Sequence, residues 1–289
     1  MISVIFTDLD GTLLDRDTYS WEAAKPALEH LKRRGIPWIL VTSKTRAEVE
    51  GWRRVLGNQH PFIVENGGAA FVPPGYFPAT IPGATLRDGY DVIEWGKPYA
   101  ELIAGLRNAS QVSGCHVLAF HEMTAEEVAA ACELPVQEAV WAKQREYDEP
   151  FRIIDTARSD ELKAACAAQG LRWAQGGRFY HVCGDNDKAS AVKLLSELFR
   201  QVHGPISTIG LGDSFNDAPF LEVVDLPVIV RSPDVDALRS RIPHARLTEC
   251  SGPEGWNDAV SRIGINNALR KRRQEPAACA AGEVASTTG

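Results

Sequence analysis

One pattern constrains the fold more than any other. Short apolar, partly β-branched runs stop abruptly at polar residues and are followed by stretches with helical periodicity. "ISVIFT" stops at Asp8, "IPWILVT" ends at Thr42 before Ser43 and Lys44, and "PFIV" stops at Glu65-Asn66-Gly67-Gly68. Late in the chain, "ISTIGLG" stops at Asp213 and "LPVIV" follows. Runs of this length and composition read as buried strands. Between them lie a helix from Trp21 to Arg34, with Ser20 as N-cap and Gly35 as its stop, and the amphipathic stretches "TRAEVEGWRRVLG" and "DKASAVKLLSELFRQV". Strand alternating with helix predicts an α/β fold around a doubly wound parallel sheet. Such sheets bind ligands beyond the carboxyl ends of their strands, where Asp8, Asp10, Thr42 and the Glu65–Gly68 turn all fall.

The pattern breaks in the middle. Helices at Pro98–Leu106 and Thr124–Cys132, the second opened by a Thr124/Glu127 capping box, mix with strands at Cys115–Phe120, Phe151–Ile154, Leu171–Ala174 and Arg178–Cys183. This grammar predicts a small α+β domain inserted at 81–183 between core segments 1–80 and 184–265, with a mobile tail over 266–289. The 289 residues, 44% hydrophobic, suffice for that organisation, and no internal repeat is seen. A net charge of −7 argues against nucleic acid as partner, and no apolar run approaches the roughly 18 residues a membrane helix needs. Cys115, Cys132, Cys166, Cys183, Cys250 and Cys279 form no C-x-x-C pair. With no secretory leader at the start, they are expected to be reduced thiols in a cytoplasmic protein.

Four separated features carry chemistry: Asp8-x-Asp10-Gly11-Thr12, Thr42-Ser43-Lys44, Lys188 in "NDKAS", and Gly212-Asp213-Ser214-Phe215-Asn216-Asp217. Each has an ordinary reading. Asp10-Gly11 is a turn signal, and Asp217 suits the first turn of a helix. Lys188 opposes the dipole of the helix it opens, so local structure gains nothing from it. Together the four supply what phosphoryl transfer requires. A carboxylate nucleophile repels a phosphomonoester dianion, and a hard cation with oxygen ligands removes that repulsion. A lysine and a hydroxyl complete a cradle for the transferring oxygens.

In this order, the four motifs resemble those of the haloacid dehalogenase superfamily of phosphotransferases. That resemblance implies Asp8 as the nucleophile forming an aspartyl-phosphate, and Asp10 as the acid that protonates the leaving alkoxide and then deprotonates water. It implies Thr42, with Ser43 as the alternative, and Lys188 as ligands of the phosphoryl oxygens. It also implies Mg²⁺ held by Asp8, the backbone carbonyl of Asp10, Asp213 and Asp217, with Asn216 supporting the loop. The insertion follows the third strand, the superfamily's second cap position, typical of sugar-phosphate phosphatases.

A closer resemblance includes the insertion. "VTSKTRAEVE", "PFIVENGGAAFVPPGYFP", "REYDEPF", "GGRFYHVCGDNDK", "GLGDSFNDAPFLEVVD" and "GPEGWNDAV" are similar to the mannosyl-3-phosphoglycerate phosphatase family. This family releases phosphate from a glycosyl-phosphoglycerate to give mannosylglycerate, a compatible solute. A substrate of that kind carries a carboxylate, for which Arg145 and Arg178 are candidates. The competing reading of Arg145 is an ion pair with Glu146, Asp148 or Glu149. Lys44, Asn66, Gly67 and Tyr180 complete the expected substrate contacts; strand alternation allows only one of Tyr180 and His181 to point inward. A glucosyl or other phosphosugar substrate, a phosphomutase, and a sugar-phosphate-binding protein without turnover are the alternatives. Oligomeric state is not legible.

Overall fold

The computed structural model describes residues 2–175 and 179–262, so Arg178, Cys279 and the tail expected over 266–289 lie outside the described residues. The first core segment holds β1 (Ile2–Thr7), α1 (Lys25–Arg34), β2 (Trp38–Val41), α2 (Arg46–Leu56) and β3 (Phe62–Val64). β4 (Ala69–Val72), β5 (Thr85–Arg87) and β6 (Tyr90–Glu94) follow. The inserted unit comprises α3 (Tyr99–Ser113), β7 (Val117–Ala119), α4 (Ala125–Cys132), α5 (Val136–Ala142), β8 (Asp148–Ile153), α6 (Ser159–Ala168), β9 (Arg172–Gln175) and β10 (Tyr180–Cys183). The chain returns through α7 (Lys188–His203), β11 (Ile206–Gly212), α8 (Ala218–Leu221), β12 (Leu226–Arg231), α9 (Val235–Arg241) and β13 (Arg246–Ser251), then a helical stretch over 252–262.

The core is a nine-stranded sheet in the order β13-β12-β11-β1-β2-β3-β4-β6-β5. β1, β2, β3, β11, β12 and β13 pair in parallel; β4, β6 and β5 extend one side antiparallel. Residues 85–94, expected within the insertion, therefore belong to the core sheet, because β6 pairs with β4. The parallel strands other than the edge strand β13 are largely apolar because both faces are covered. Ile5, Trp38 and Leu40 pack with Leu28 and Leu31 of α1, Val49 and Leu56 of α2, and Trp256. Val4, Phe6, Ile39 and Val41 pack on the other face with Val192, Leu195 and Phe199 of α7 and Leu238 of α9.

Local signals explain most element ends. α2 opens with a Thr45/Glu48 capping box and α4 with the expected Thr124/Glu127 box. α1 starts later than the sequence suggests: residues 22–24 form a single 3₁₀ turn, and the helix proper begins at Lys25 with Pro26 in its first turn. Ser20 caps neither: Trp21 precedes the 3₁₀ turn, and the Ser20 hydroxyl only accepts from Glu22 N at 3.4 Å.

The inserted unit is an antiparallel four-stranded sheet, β7-β8-β10-β9. α3 and α6 cover one face through Leu102, Leu106, Leu162 and Cys166. The α4–α5 hairpin packs Val128, Ala139 and Ala142 against Phe120 and Phe179.

Candidate active site

Asp8, Thr42, Glu65 and Asp213 each stand immediately after a parallel strand, β1, β2, β3 and β11. Adjacent strands in register bring these ends to one rim. Lys188, the first residue of α7, is carried to the same rim and is 1% exposed. Its ammonium lies 2.9 Å from Asp8 Oδ1 and 2.6 Å from Asp217 Oδ1. Burial opposes its charge, but the two carboxylates outweigh burial and raise its pKa.

Lys188 can come this close because of Gly67. A Cβ there would sit 2.1 Å from the Asp187 carbonyl oxygen and 2.8 Å from Lys188 N, and Gly67 has φ +86°. Gly67→Ala is expected to lower unfolding stability by about 2–5 kcal/mol, from overpacking plus the left-handed backbone. A urea midpoint measured beside Gly75→Ala, an exposed left-handed glycine with open space at its Cβ position, separates the steric part. Equal losses at both positions would contradict it.

Asp8, Asp213 and Asp217 bring one carboxylate oxygen each to within 4.8 Å of one another, all buried. Burial, then repulsion from Asp217, pushes the Asp8 carboxyl well above the usual range, against the pull of Lys188. The same two causes push Asp213 to about 7, although Thr12 Oγ1 donates to it at 3.1 Å. Asp217 is held rigidly: its Oδ2 accepts from Asp213 N at 3.0 Å and Ser214 N at 3.1 Å. Three buried acids thus face one lysine. An all-oxygen set of this kind fits a hard divalent cation.

Asp10 is positioned differently. Gly11 turns the chain at φ +78°, where a Cβ would meet Asp213 Oδ2 at 2.4 Å. Asp10 Oδ2 lies 3.0 Å from Lys44 Nζ, while its buried Oδ1 has no hydrogen-bond partner. Lys44 also faces Glu48 at 3.5 Å and stands 5.0 Å from the Tyr19 ring centroid. These acids outweigh burial and raise its pKa. The Thr42 hydroxyl accepts from Lys44 N at 3.1 Å and is buried; Ser43 is the one of the pair that lines the cavity.

That cavity, about 170 Å³, lies between core and insertion. Its core wall includes Asp8, Asp10, Arg16, Ser43, Lys44 and Asp213; its cap wall includes Phe120, Leu134, Ala142, Phe179, Arg145 and His181. Of the neighbouring pair on β10, His181 points in. Tyr180, expected at the substrate, turns instead into the cap core against Phe151 and Trp173, because adjacent side chains on a strand face opposite ways.

Arg145 lines the cavity but is already engaged. Its Nη1 and Nη2 donate to the Ser43 carbonyl at 2.9 and 3.1 Å, and Nη2 lies 3.0 Å from Asp148 Oδ1. The ion pair weighed from the sequence is real, but it is buried rather than superficial. Asp148 Oδ2 further accepts from Asn66 Nδ2 at 2.9 Å and lies 3.1 Å from His181 Nδ1. Burial works against ionising Asp148, yet Arg145 and His181 outweigh it and hold its carboxyl below the usual range. Asn66 reaches the other way too, its Oδ1 accepting from Asn216 Nδ2 at 3.2 Å. Asn66 is thus a bridge between cap and core rather than part of the cavity wall.

Glu65 was visible only as a turn residue. Its carboxylate is fully buried and accepts from the backbone N–H groups of Glu146, Tyr147 and Asp148, at 2.7 Å for Tyr147. Burial raises its pKa to about 8; Arg145 opposes and Asp148 adds to the rise. Together with Arg145–Ser43, it fastens the cap segment 146–148 to the core.

The model of the haloacid dehalogenase-like hydrolase family matches residues 5–74. A glucosyl-3-phosphoglycerate/mannosyl-3-phosphoglycerate phosphatase of Methanococcoides burtonii is 44% identical over 276 residues, 92% of this chain and 99% of the relative. One of the same description from Persephonella marina is 39% identical over 265 residues, 90% and 96%. The crystal structure of Thermoplasma acidophilum 0175 superposes with a TM-score of 0.65 at 18% identity, covering 92% of this chain and 99% of that one, a likeness of fold. The chain belongs to the haloacid dehalogenase-like hydrolases and, within them, to the family of glucosyl-3-phosphoglycerate/mannosyl-3-phosphoglycerate phosphatases.

Proposed function

We propose that this phosphatase hydrolyses the phosphomonoester of mannosyl-3-phosphoglycerate and glucosyl-3-phosphoglycerate with Mg²⁺. The observation that carries the reading is the buried Asp8–Lys188–Asp217 cluster, whose Asp8 lines a capped cavity, in a chain 44% identical to a relative named for both substrates.

A carboxylate oxygen of Asp8 attacks phosphorus, forming an aspartyl-phosphate as the P–O bond to the glycerate breaks. Asp10, steadied through Oδ2 by Lys44, delivers a proton from its unpartnered Oδ1 to the leaving alkoxide. The deprotonated Asp10 then takes a proton from the water that hydrolyses the aspartyl-phosphate. Lys188 and the hydroxyl of Thr42 or Ser43 hold the phosphoryl oxygens, and Lys188 lessens repulsion between Asp8 and the incoming dianion. Asp8, Asp213, Asp217 and the Asp10 carbonyl are the groups proposed to hold Mg²⁺, which supplies charge neutralisation and orientation of the phosphate when bound. The cap excludes water and contacts the leaving group through His181 and the apolar wall.

The test is phosphate release from mannosyl-3-phosphoglycerate, glucosyl-3-phosphoglycerate and 3-phosphoglycerate, with Mg²⁺ or with EDTA. Turnover of both glycosyl compounds in Mg²⁺, slower turnover of 3-phosphoglycerate and none in EDTA is expected. Binding to the folded state alone should also raise the thermal midpoint with Mg²⁺ concentration. Metal-independent release, or equal rates on 3-phosphoglycerate, would refute the reading.

A further inference from the structure

We propose that Arg16 receives the carboxylate of the substrate's glycerate group, making it the residue that selects phosphoesters carrying this second anion. The proposal rests on the substrate reading above. It follows from asking which cation at the cavity still has donors to give. Lys188 is matched by Asp8 and Asp217, and Lys44 by Asp10 and Glu48. Arg145, which with Arg178 is a sequence candidate for this task, has both terminal nitrogens committed to the Ser43 carbonyl and Asp148, leaving only its buried Nε without a partner. A guanidinium so engaged has no free fork for a carboxylate. Arg16 lines the same cavity and makes no hydrogen bond or ion pair among the described residues.

The loop that carries Arg16 is well fixed, which makes it suited to present a side chain. Its neighbour Asp15 turns away from it: one carboxylate oxygen accepts from Thr18 N at 2.8 Å and Thr18 Oγ1 at 2.7 Å. The loop closes through Asp15 N to the Ser20 carbonyl at 2.8 Å and Tyr19 N to the Asp15 carbonyl at 3.0 Å. Arg16 and Asp213 line the same cavity. Electrostatics then requires such a partner. The cavity wall already holds Asp8, Asp10, Glu48 and Asp213. A second substrate anion entering that field is repelled unless an uncommitted cation meets it.

The experiment compares kcat/KM for mannosyl-3-phosphoglycerate and for its glycerate methyl ester, which has the same shape without the carboxylate charge. Wild type is expected to favour the acid by about 10- to 100-fold, the range of a hydrogen-bonded charge. Arg16→Gln should bring the acid-to-ester ratio close to one, and Arg16→Lys should restore part of it. Arg145→Gln serves as comparator; it should lower both substrates and the thermal midpoint together, as loss of a cap fastening requires. A wild-type ratio near one, or an Arg16→Gln enzyme that keeps the wild-type ratio while both rates fall, overturns the assignment of Arg16 alone. Wild type that releases phosphate from neither compound, while hydrolysing p-nitrophenyl phosphate, overturns the substrate reading and this proposal with it.

Discussion

Asp8→Asn is expected to abolish phosphate release while making the metal-free protein more resistant to heat. The two effects come from the same carboxylate. If Asp8 is the nucleophile, an amide in its place cannot form the acyl-phosphate, and turnover should fall by roughly 10⁴-fold or more, as nucleophile removals do elsewhere. The amide keeps the size of Asp8 and still offers an oxygen to Lys188, so packing is preserved. What it removes is one of three carboxylates that lie within 4.8 Å of one another in a buried site. In the metal-free protein that carboxylate is opposed by burial and by Asp217, with Lys188 as the nearby compensation. Its loss relieves repulsion, so the thermal midpoint in EDTA should rise. The rise brought by Mg²⁺ should shrink, since the cation has lost an anionic ligand. Calorimetry in EDTA and in Mg²⁺, beside a phosphate assay, reads all three. Activity within tenfold of wild type would remove Asp8 from the chemistry. A lower midpoint in EDTA would mean that its bond to Lys188 outweighs the repulsion.

This separation of roles also shows what was legible without coordinates. The parallel core is written in apolar runs that end in polar residues, so Asp8, Thr42, Lys188 and Asp213 could be assigned to one rim from strand ends and a helix start. The cap was harder. α5 and α6 were missed; α5 spans only Val136–Ala142, too short for its periodicity to stand out, and the β5–β6 hairpin was assigned to the wrong unit. Tyr180 and His181 could not be told apart because the orientation of a four-residue strand depends on its partners rather than on its own sequence. Glu65 was legible only as a turn residue at a strand end, and Asp148 only as one of three possible partners of Arg145. Acids in turn-like stretches are usually solvated; the burial of Glu65 depends on backbone N–H groups more than 80 residues away, and that of Asp148 on Arg145 three residues before it. Arg145 lines the cavity, but its terminal nitrogens are spent on the Ser43 carbonyl and Asp148, which its sequence does not reveal.

Lys188→Met should be the most destabilising single change in the site, and the one that metal repairs. Methionine approximates the length and volume of the lysine stem, so the substitution removes charge with little cavity. Lys188 is 1% exposed, with Asp8 and Asp217 at 2.9 and 2.6 Å. Removing one partner of a buried ionic group strands the others, a loss of about 3–5 kcal/mol. For a chain of this size that corresponds to a fall of roughly 10 °C in thermal midpoint. Mg²⁺ and Lys188 are proposed to answer the same excess of negative charge on Asp8, Asp213 and Asp217. If so, the variant should recover much of its midpoint as Mg²⁺ is added, with a larger gain than wild type at equal concentration. Turnover should stay low even at saturating Mg²⁺, because the transferring oxygens still lack the ammonium. A midpoint that Mg²⁺ does not move would show that lysine and metal do not share these acids, and the proposed cation site would have to lie elsewhere. Recovery of both midpoint and turnover would instead reduce Lys188 to a structural counter-ion.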